Sequence, residues 1–309
     1  MTSTTILIGG AEPESPSARG AAAYFKYVNA RGGVRGRSIV FQLEHQDVFA
    51  VFGSLSDAAP VSQLFVDSGS TAVARSPSSI GFRPSWRAEG WILGSYLARA
   101  RRGARVGVLY ADDEQGRDLL AGLRQAIARS TVRVAATRIE VDPATDVGAL
   151  QAAGADTLAL FVSTPHAAAG AATRLGWRPH VVVGSEAAGG IEGAVSTSFV
   201  KDPTDVAWRD DPGLRRHRSV MARADQRFVE GMASAYELVR VLKAAGKEPT
   251  RAGVTAAVRK LTDASNPFLL PGIVVRTTAA DRFPVEQAQL RRWSSGRWRS
   301  FGGLWAHRR

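Results

Sequence analysis

Short apolar runs alternate with amphipathic segments along most of this chain, and that alternation limits the fold more than any other feature. The runs TILIGG (5–10), SIVFQLE (38–44), VFAVFG (48–53), SQLFVD (62–67), ARVGVLYA (104–111), VRVAATRIEV (132–141), DTLALFV (156–162) and HVVVG (180–184) read as strands. Their near-continuous Val, Leu and Ile content suits strands covered on both faces, as in a parallel sheet. Helical spacing predicts helices over 17–30, 87–102, 114–128, 167–175, 226–245 and 251–261. Asp113 precedes the third of these as a capping residue, with Glu114 in the first turn, and Gly246 is a natural stop for the fifth. Strand–helix alternation of this kind implies an α/β fold with a doubly wound sheet. The tail departs from it: PGIVVRT, VEQAQLRRW and GRWRSFGG read as strands separated by turns.

Two connections conflict with a regular parallel sheet. Only His45, Gln46 and Asp47 separate SIVFQLE from VFAVFG, and residues 54–61 separate VFAVFG from SQLFVD. A parallel crossover between neighbouring strands takes a dozen or more residues, usually as a helix. The first pair is therefore expected to form a tight antiparallel hairpin or one kinked strand. The helix over 17–30 is also short. The first part of the chain reads as shortened, with a distorted or partly open sheet, and the second part as complete.

Composition narrows the function classes. The chain has 309 residues, 45% of them hydrophobic, a net charge of +12 and no cysteine. It can bury cores for about two domains, and disulfides and thiolate metal sites are excluded. No apolar run reaches the ~18 residues that span a bilayer. Met1 leads directly into TSTTILIGG, so no signal peptide is expected, and no lipobox cysteine exists. The positive charge is carried mainly by arginine. It reads either as an electrostatic footprint for nucleic acid or anionic lipid, or as a compositional habit spread over solvated faces; the spread favours the second. His45, His166, His180, His217 and His307 are far apart in sequence, and no metal or cofactor motif accompanies them. No nucleophile elbow, phosphate loop or dinucleotide fingerprint is present, so neither an enzyme nor a cofactor protein is expected. Asp112 and Asp113 follow a strand and could act as an acid–base pair, but such residues more often cap the next helix.

Small hydroxyl residues recur just past strand ends: Ser54 and Ser56, then Ser68, Ser70 and Thr71, then Ser163 and Thr164, then Ser185 beside Glu186. Ligands of open α/β sheets bind outside the carboxyl ends of the strands, where hydroxyls and free N–H groups suit a small carboxylate. The competing reading is local: Ser and Thr favour turns and caps. Glu186 stands apart as one charge among small residues, placed where the chain has just left a strand.

The stretches YVNARGGVRGRSIVF, VFAVFGSLS, QLFVDSGST, ARVGVLYADDEQGRDLLAGLRQAI, LGWRPHVVVGSE, EGAVSTSFVKDPTDVAW, GMASAYELVRVLKAAGKEPTR and LLPGIVVRTTAADRFPVEQAQLRRW occur in that order. Together they resemble the type I periplasmic solute-binding proteins, in the leucine/isoleucine/valine-binding branch that serves ABC importers. The resemblance implies a two-lobed α/β fold, each lobe a mostly parallel sheet flanked by helices, with a ligand cleft between lobes. One lobe would be 1–83 plus 203–278, the other 84–202 plus 279–309. It also implies that Ser54, Ser56, Ser70 and Thr71 hold a ligand carboxylate, that Glu186 receives an ammonium group, and that Tyr110 and Asp112 lie on a loop facing the cleft. Ser163 joins them as a strand-end hydroxyl. The implied role is capture of a small amino acid or related carboxylate for an ABC permease, in the periplasm or otherwise outside the cytoplasm, by a monomer without nucleic acid. Two other readings stand beside it: a sensor module of the same fold, and a basic nucleic-acid binder hinted at by Trp293, Trp298 and Trp305 among arginines. The chain departs from the family in lacking a helix between the strands at 38 and 48, lacking another after GSLS, and reading VSQLF where the pattern is Val-Pro-Gln.

Overall fold

The computed structural model describes residues 4–10, 14–43, 48–55, 61–187, 189–221, 224–246, 248–278 and 281–307. The chain divides into two units, Met1–Arg83 with Phe199–Val285, and Pro84–Ser198 with Glu286–Arg309. No helix among the described residues is long and apolar enough to cross a membrane.

The first unit begins with β1 (Thr5–Gly10), α1 (Pro16–Asn29), β2 (Ser38–Leu43), β3 (Ala50–Phe52), β4 (Gln63–Val66), α2 (Thr71–Arg75) and β5 (Ser79–Gly81). These strands form one sheet in the order β2-β1-β3-β4-β5, and every pairing is parallel. This corrects the expected hairpin or kinked strand. Strands β2 and β3 are not neighbours: each pairs with β1, from opposite sides. Two strands on opposite sides of a third stand two strand spacings apart, about 10 Å, a separation within reach of a six-residue connector at roughly 3.5 Å per residue. The expected opening of the sheet is corrected with it, because β1 joins the two halves. Parallel register puts Ile8, Phe41 and Ala50 on one face, and Phe25 of α1 packs there against Phe41 and Phe52.

The second unit runs α3 (Trp86–Ala100), β6 (Arg105–Tyr110), α4 (Glu114–Ile127), β7 (Arg133–Ile139), α5 (Pro143–Ala152), β8 (Thr157–Phe161), α6 (Pro165–Arg174), β9 (His180–Val183) and β10 (Val195–Ser198). The chain then returns to the first unit for α7 (Pro212–Arg216), α8 (Gln226–Ala244), α9 (Arg251–Val258), β11 (Thr262–Asp263) and β12 (Val275–Arg276). Finally β13 (Gln287–Ser294) and β14 (Arg297–Ala306) complete the second sheet, ordered β14-β13-β10-β9-β8-β6-β7. Its central strands are parallel, and β13 and β14 add antiparallel at one edge. Strand β8 is buried throughout, as its unbroken apolar run requires. Leu109, Leu158, Leu160, Val181 and Val183 form a core with Val147 and Leu150 of α5 and Ala168 and Ala171 of α6. Trp298 joins that core and packs edge-on against Trp293.

Each unit closes one helix pair through reciprocal glycines. Gly20 of α1 lies against Phe228 O, and Gly231 of α8 against Ser17 O; a Cβ would stand 1.9 Å and 1.7 Å from those oxygens. Gly90 of α3 and Gly122 of α4 do the same, at 2.1 Å from Leu119 O and 2.0 Å from Arg87 O. The backbones meet with no side chain between them, an approach that only glycine permits.

The two sheets differ in the length of their strands. Strands β3 and β4 have 3 and 4 residues, and Val40 of β2 is 39% exposed. Short strands, with few ladder hydrogen bonds each, open locally at low cost. Amides over 38–66 are therefore expected to exchange with solvent faster than those over 104–184. Hydrogen-exchange mass spectrometry giving equal protection would contradict this.

Candidate functional site

In the first unit a cleft of about 370 Å³ opens at the carboxyl end of the sheet. Gly10 ends β1, Gly53 and Ser54 follow β3, and Asp67 and Ser68 follow β4; all line it. Phe41 and Phe52 give it an apolar wall, and Ser15, Ser17, Arg227 and Ser234 bring in the starts of α1 and α8. Parallel strands deliver all their carboxyl ends to one edge, which is why residues distant in sequence converge. The charges there are already matched. Arg227 donates to Asp67 at 2.9 Å and to Glu230 at 2.7 Å, and buried Arg83 lies 3.8 Å from Asp67. Two guanidiniums and two carboxylates leave no net charge, so recognition here falls to hydroxyls, N–H groups and the apolar wall.

In the second unit a smaller pocket of about 160 Å³ lies past β8 and β9, under the first turns of α4. Ser163 and Glu186 line it together, with Gln115, Leu119, Phe161 and Gly184. The turn that carries Glu186 is held from several sides. The Ser185 N–H donates to Glu89, and the Ser185 hydroxyl donates to the same carboxylate at 2.9 Å. The Arg291 guanidinium donates to Ser185 O at 2.9 Å while stacking 4.3 Å over the Trp298 ring. Glu89 and Arg291 are both buried, which makes these charge-assisted bonds costly to break. Trp86 Nε1 approaches Glu186 Oε1 at 3.5 Å.

The remaining expected site residues fall elsewhere. Ser70 caps α2, its hydroxyl accepting from Ala72 N at 3.0 Å, and Thr71 accepts from Arg75 at 2.9 Å. Tyr110 ends β6, and Asp112 pairs with Arg117 at 2.6 Å on the surface; none of these four lines either pocket. Asp113 caps α4 through Gly116 N. Ser56 lies outside the described residues. Asp67, Arg83, Arg227, Trp86, Glu89 and Arg291 were not foreseen. Glu89 alone carried a local signal: it stands on the helix stripe with Ile92, Leu93 and Tyr96, a carboxylate at a core position. No group of His, Asp and Glu among the described residues could hold a metal.

The geometry suits reversible capture by hydrogen bonds and ion pairs, and the comparisons agree with that. A family model described as periplasmic binding protein matches residues 43–297. No curated protein matches the chain. Among solved structures, a branched-chain amino acid ABC transporter from Thermus thermophilus with bound valine is 16% identical, with a TM-score of 0.79 over 98% of this chain and 96% of that one. A fatty acid ABC transporter substrate-binding protein from Thermomonospora curvata is 17% identical, with a TM-score of 0.80 over 99% and 94%. A solute-binding protein of an ABC transporter from Rhodopseudomonas palustris BisB5, in complex with 3,4-dihydroxybenzoic acid, is 15% identical, with a TM-score of 0.76 over 98% and 97%. At such identities these likenesses speak for the shared fold alone. The family match spans most of the sequence and both units, and on that ground the chain belongs to the periplasmic binding protein family.

Proposed function

We propose that this protein captures a small amino acid outside the cytoplasm and delivers it to the permease of an ABC importer. The observation that carries the choice of ligand is Glu186, a carboxylate placed beside Ser163 in the pocket of the second unit by a turn clamped between Glu89 and Arg291. A carboxylate there repels an anion and attracts an ammonium, which sets an amino acid apart from a fatty acid or a hydroxybenzoate. In the first unit, Ser54 and the neighbouring strand-end hydroxyls and N–H groups suit the carboxylate end of a ligand. Because Arg227 is spoken for by Asp67 and Glu230, that end gains hydrogen bonds but no unmatched cation.

The test is a thermal-shift screen over amino acids and the same acids lacking the amine, since a ligand bound only by the folded state raises the melting temperature. Calorimetry on Glu186→Gln follows. A lost charge-assisted bond of about 1.5–3 kcal/mol corresponds to a roughly tenfold to hundredfold weaker amino-acid ligand. An amine-free ligand would be nearly unaffected. Stabilisation by amine-free acids only, with Glu186→Gln silent, would refute the reading.

A further inference from the structure

A second recess in the second unit, about 600 Å³, shares no lining residue with the Glu186 pocket. It lies between α3 and β14, with Tyr96 and Leu290 buried and Trp91, Phe301 and Trp305 half-exposed. Two of its aromatic rings carry guanidiniums: Arg99 stands 4.5 Å over Trp305, and Arg292 stands 4.9 Å over Phe301. Arg299 is the direct cross-strand partner of Arg292, and like charges so placed cost stability unless an anion offsets them. Among the described residues, none of Arg99, Arg101, Arg292 and Arg299 has a carboxylate at ion-pair distance. The positive field reaches inward. His180, hydrogen-bonded to Tyr96 at 3.2 Å, is pushed down to about 4 by burial and then by Arg101 and Arg292, against a smaller opposing pull from Asp156.

We propose that this recess docks an acidic polypeptide segment of a partner protein, whose carboxylates sit on Arg99 and Arg292 while an apolar side chain enters the recess. A guanidinium stacked on a ring keeps its in-plane N–H fork for a carboxylate, so both arginines are pre-organised donors to acidic groups. The same stacking occupies one face of the Trp305 and Phe301 rings, faces that nucleobases would need. A concave recess does not suit a flat bilayer, and a two-fold contact of this face with its own copy would bring arginine against arginine. Charge complementarity therefore selects an acidic, partly apolar peptide.

The experiment uses the full chain and a fluorescein-labelled synthetic peptide alternating Glu with Phe, read by anisotropy at physiological salt. Saturable binding is expected. It should weaken at least tenfold for the peptide with Gln in place of Glu, and at least tenfold for the double variant Arg99→Gln, Arg292→Gln. A control removing two exposed arginines elsewhere, Arg124→Gln with Arg174→Gln, should bind as the parent does, which separates docking from bulk charge. The double variant's melting curve reports whether it folds. Independently, the His180 ring in the parent should titrate at higher pH once peptide is bound, because the peptide's carboxylates offset Arg101 and Arg292. Absence of saturable binding, equal binding of the Gln peptide, an equal loss in the control, an unmoved His180, or tighter binding of phosphatidylglycerol vesicles or oligothymidylate would each overturn the proposal.

Discussion

Replacing Gly231 by alanine is expected to destabilise the first unit by about 3 kcal/mol or more, the upper range for overpacking. The new Cβ would lie 1.7 Å from Ser17 O, a backbone atom that can yield only if α1 and α8 move apart. That separation would uncover Phe25 and Val229, which are buried on the two helices. At roughly 2–4 °C per kcal/mol for a unit of this size, melting should fall by about 6–12 °C. Gly20→Ala meets Phe228 O at 1.9 Å and should behave alike. The contrast is Gly148→Ala in α5, where the nearest atom is a Leu175 methyl at 3.8 Å. There alanine should stabilise by about 0.5–1 kcal/mol through its better helix propensity. Differential scanning calorimetry on the three variants decides it, and a Gly231→Ala protein melting with the parent would refute the close crossing.

Raising the pH from 6.5 to 8 is expected to weaken the first unit by about 2 kcal/mol, with Glu237 as the cause. Glu237 is fully buried in α8, and its carboxyl is pushed up to about 8. Burial is the largest contribution; the Asn266 amide, donating at 2.8 Å, opposes it, and the nearby Asp263 carboxylate adds to it. Arg240 is held chiefly by Asp263, at 2.9 Å against 4.0 Å to Glu237. The folded state keeps the proton while the unfolded chain has lost it above its ordinary value of 4.5. The stabilisation is therefore complete below that value and gone once the pH has passed about 8. His217 acts oppositely. Burial holds it below the usual imidazole range, so its contribution is present above 6.5 and is lost as the pH falls. The two offset each other on the acid side and leave the alkaline decline to Glu237. Glu237→Gln should remove that decline in thermal melts taken from pH 6.5 to 8.5. A parent protein with constant stability over that range would contradict the assignment.

The α/β pattern was legible wherever a strand was long and its helix amphipathic. Strands β6 and β8 and helix α4 follow directly from their runs and from Asp113. Helix α5 is far less distinct, because PATDVGALQA mixes Ala and Gly with little sidedness. The order β2-β1-β3 was hidden for another reason. A short connector forbids adjacent parallel strands, but it does not forbid two strands that share a third neighbour. Among the site residues, Ser163 and Glu186 each follow a strand, and chain position alone pointed to the pocket edge they share. Asp67 also ends a strand run, yet its partner Arg227 is far along the chain, and no spacing rule joins them. The cap reading, weighed against the ligand reading for all the strand-end hydroxyls, describes what Ser70 does in the structure.

The division of the chain has a consequence for its biosynthesis. Each unit is assembled from two stretches separated by part of the other. Helix α1 emerges early from the ribosome, but the helix whose Gly231 fits against it is made some 200 residues later, on the order of 10–40 s at ordinary elongation rates. Throughout that interval the face carrying Phe25 lacks its partner. The second sheet waits too, since β10 remains an edge for about 90 residues until β13 is made. A ribosome stopped at residue 285 would have made every residue of the first unit and left the second with an open strand, the kind of edge on which nascent chains aggregate.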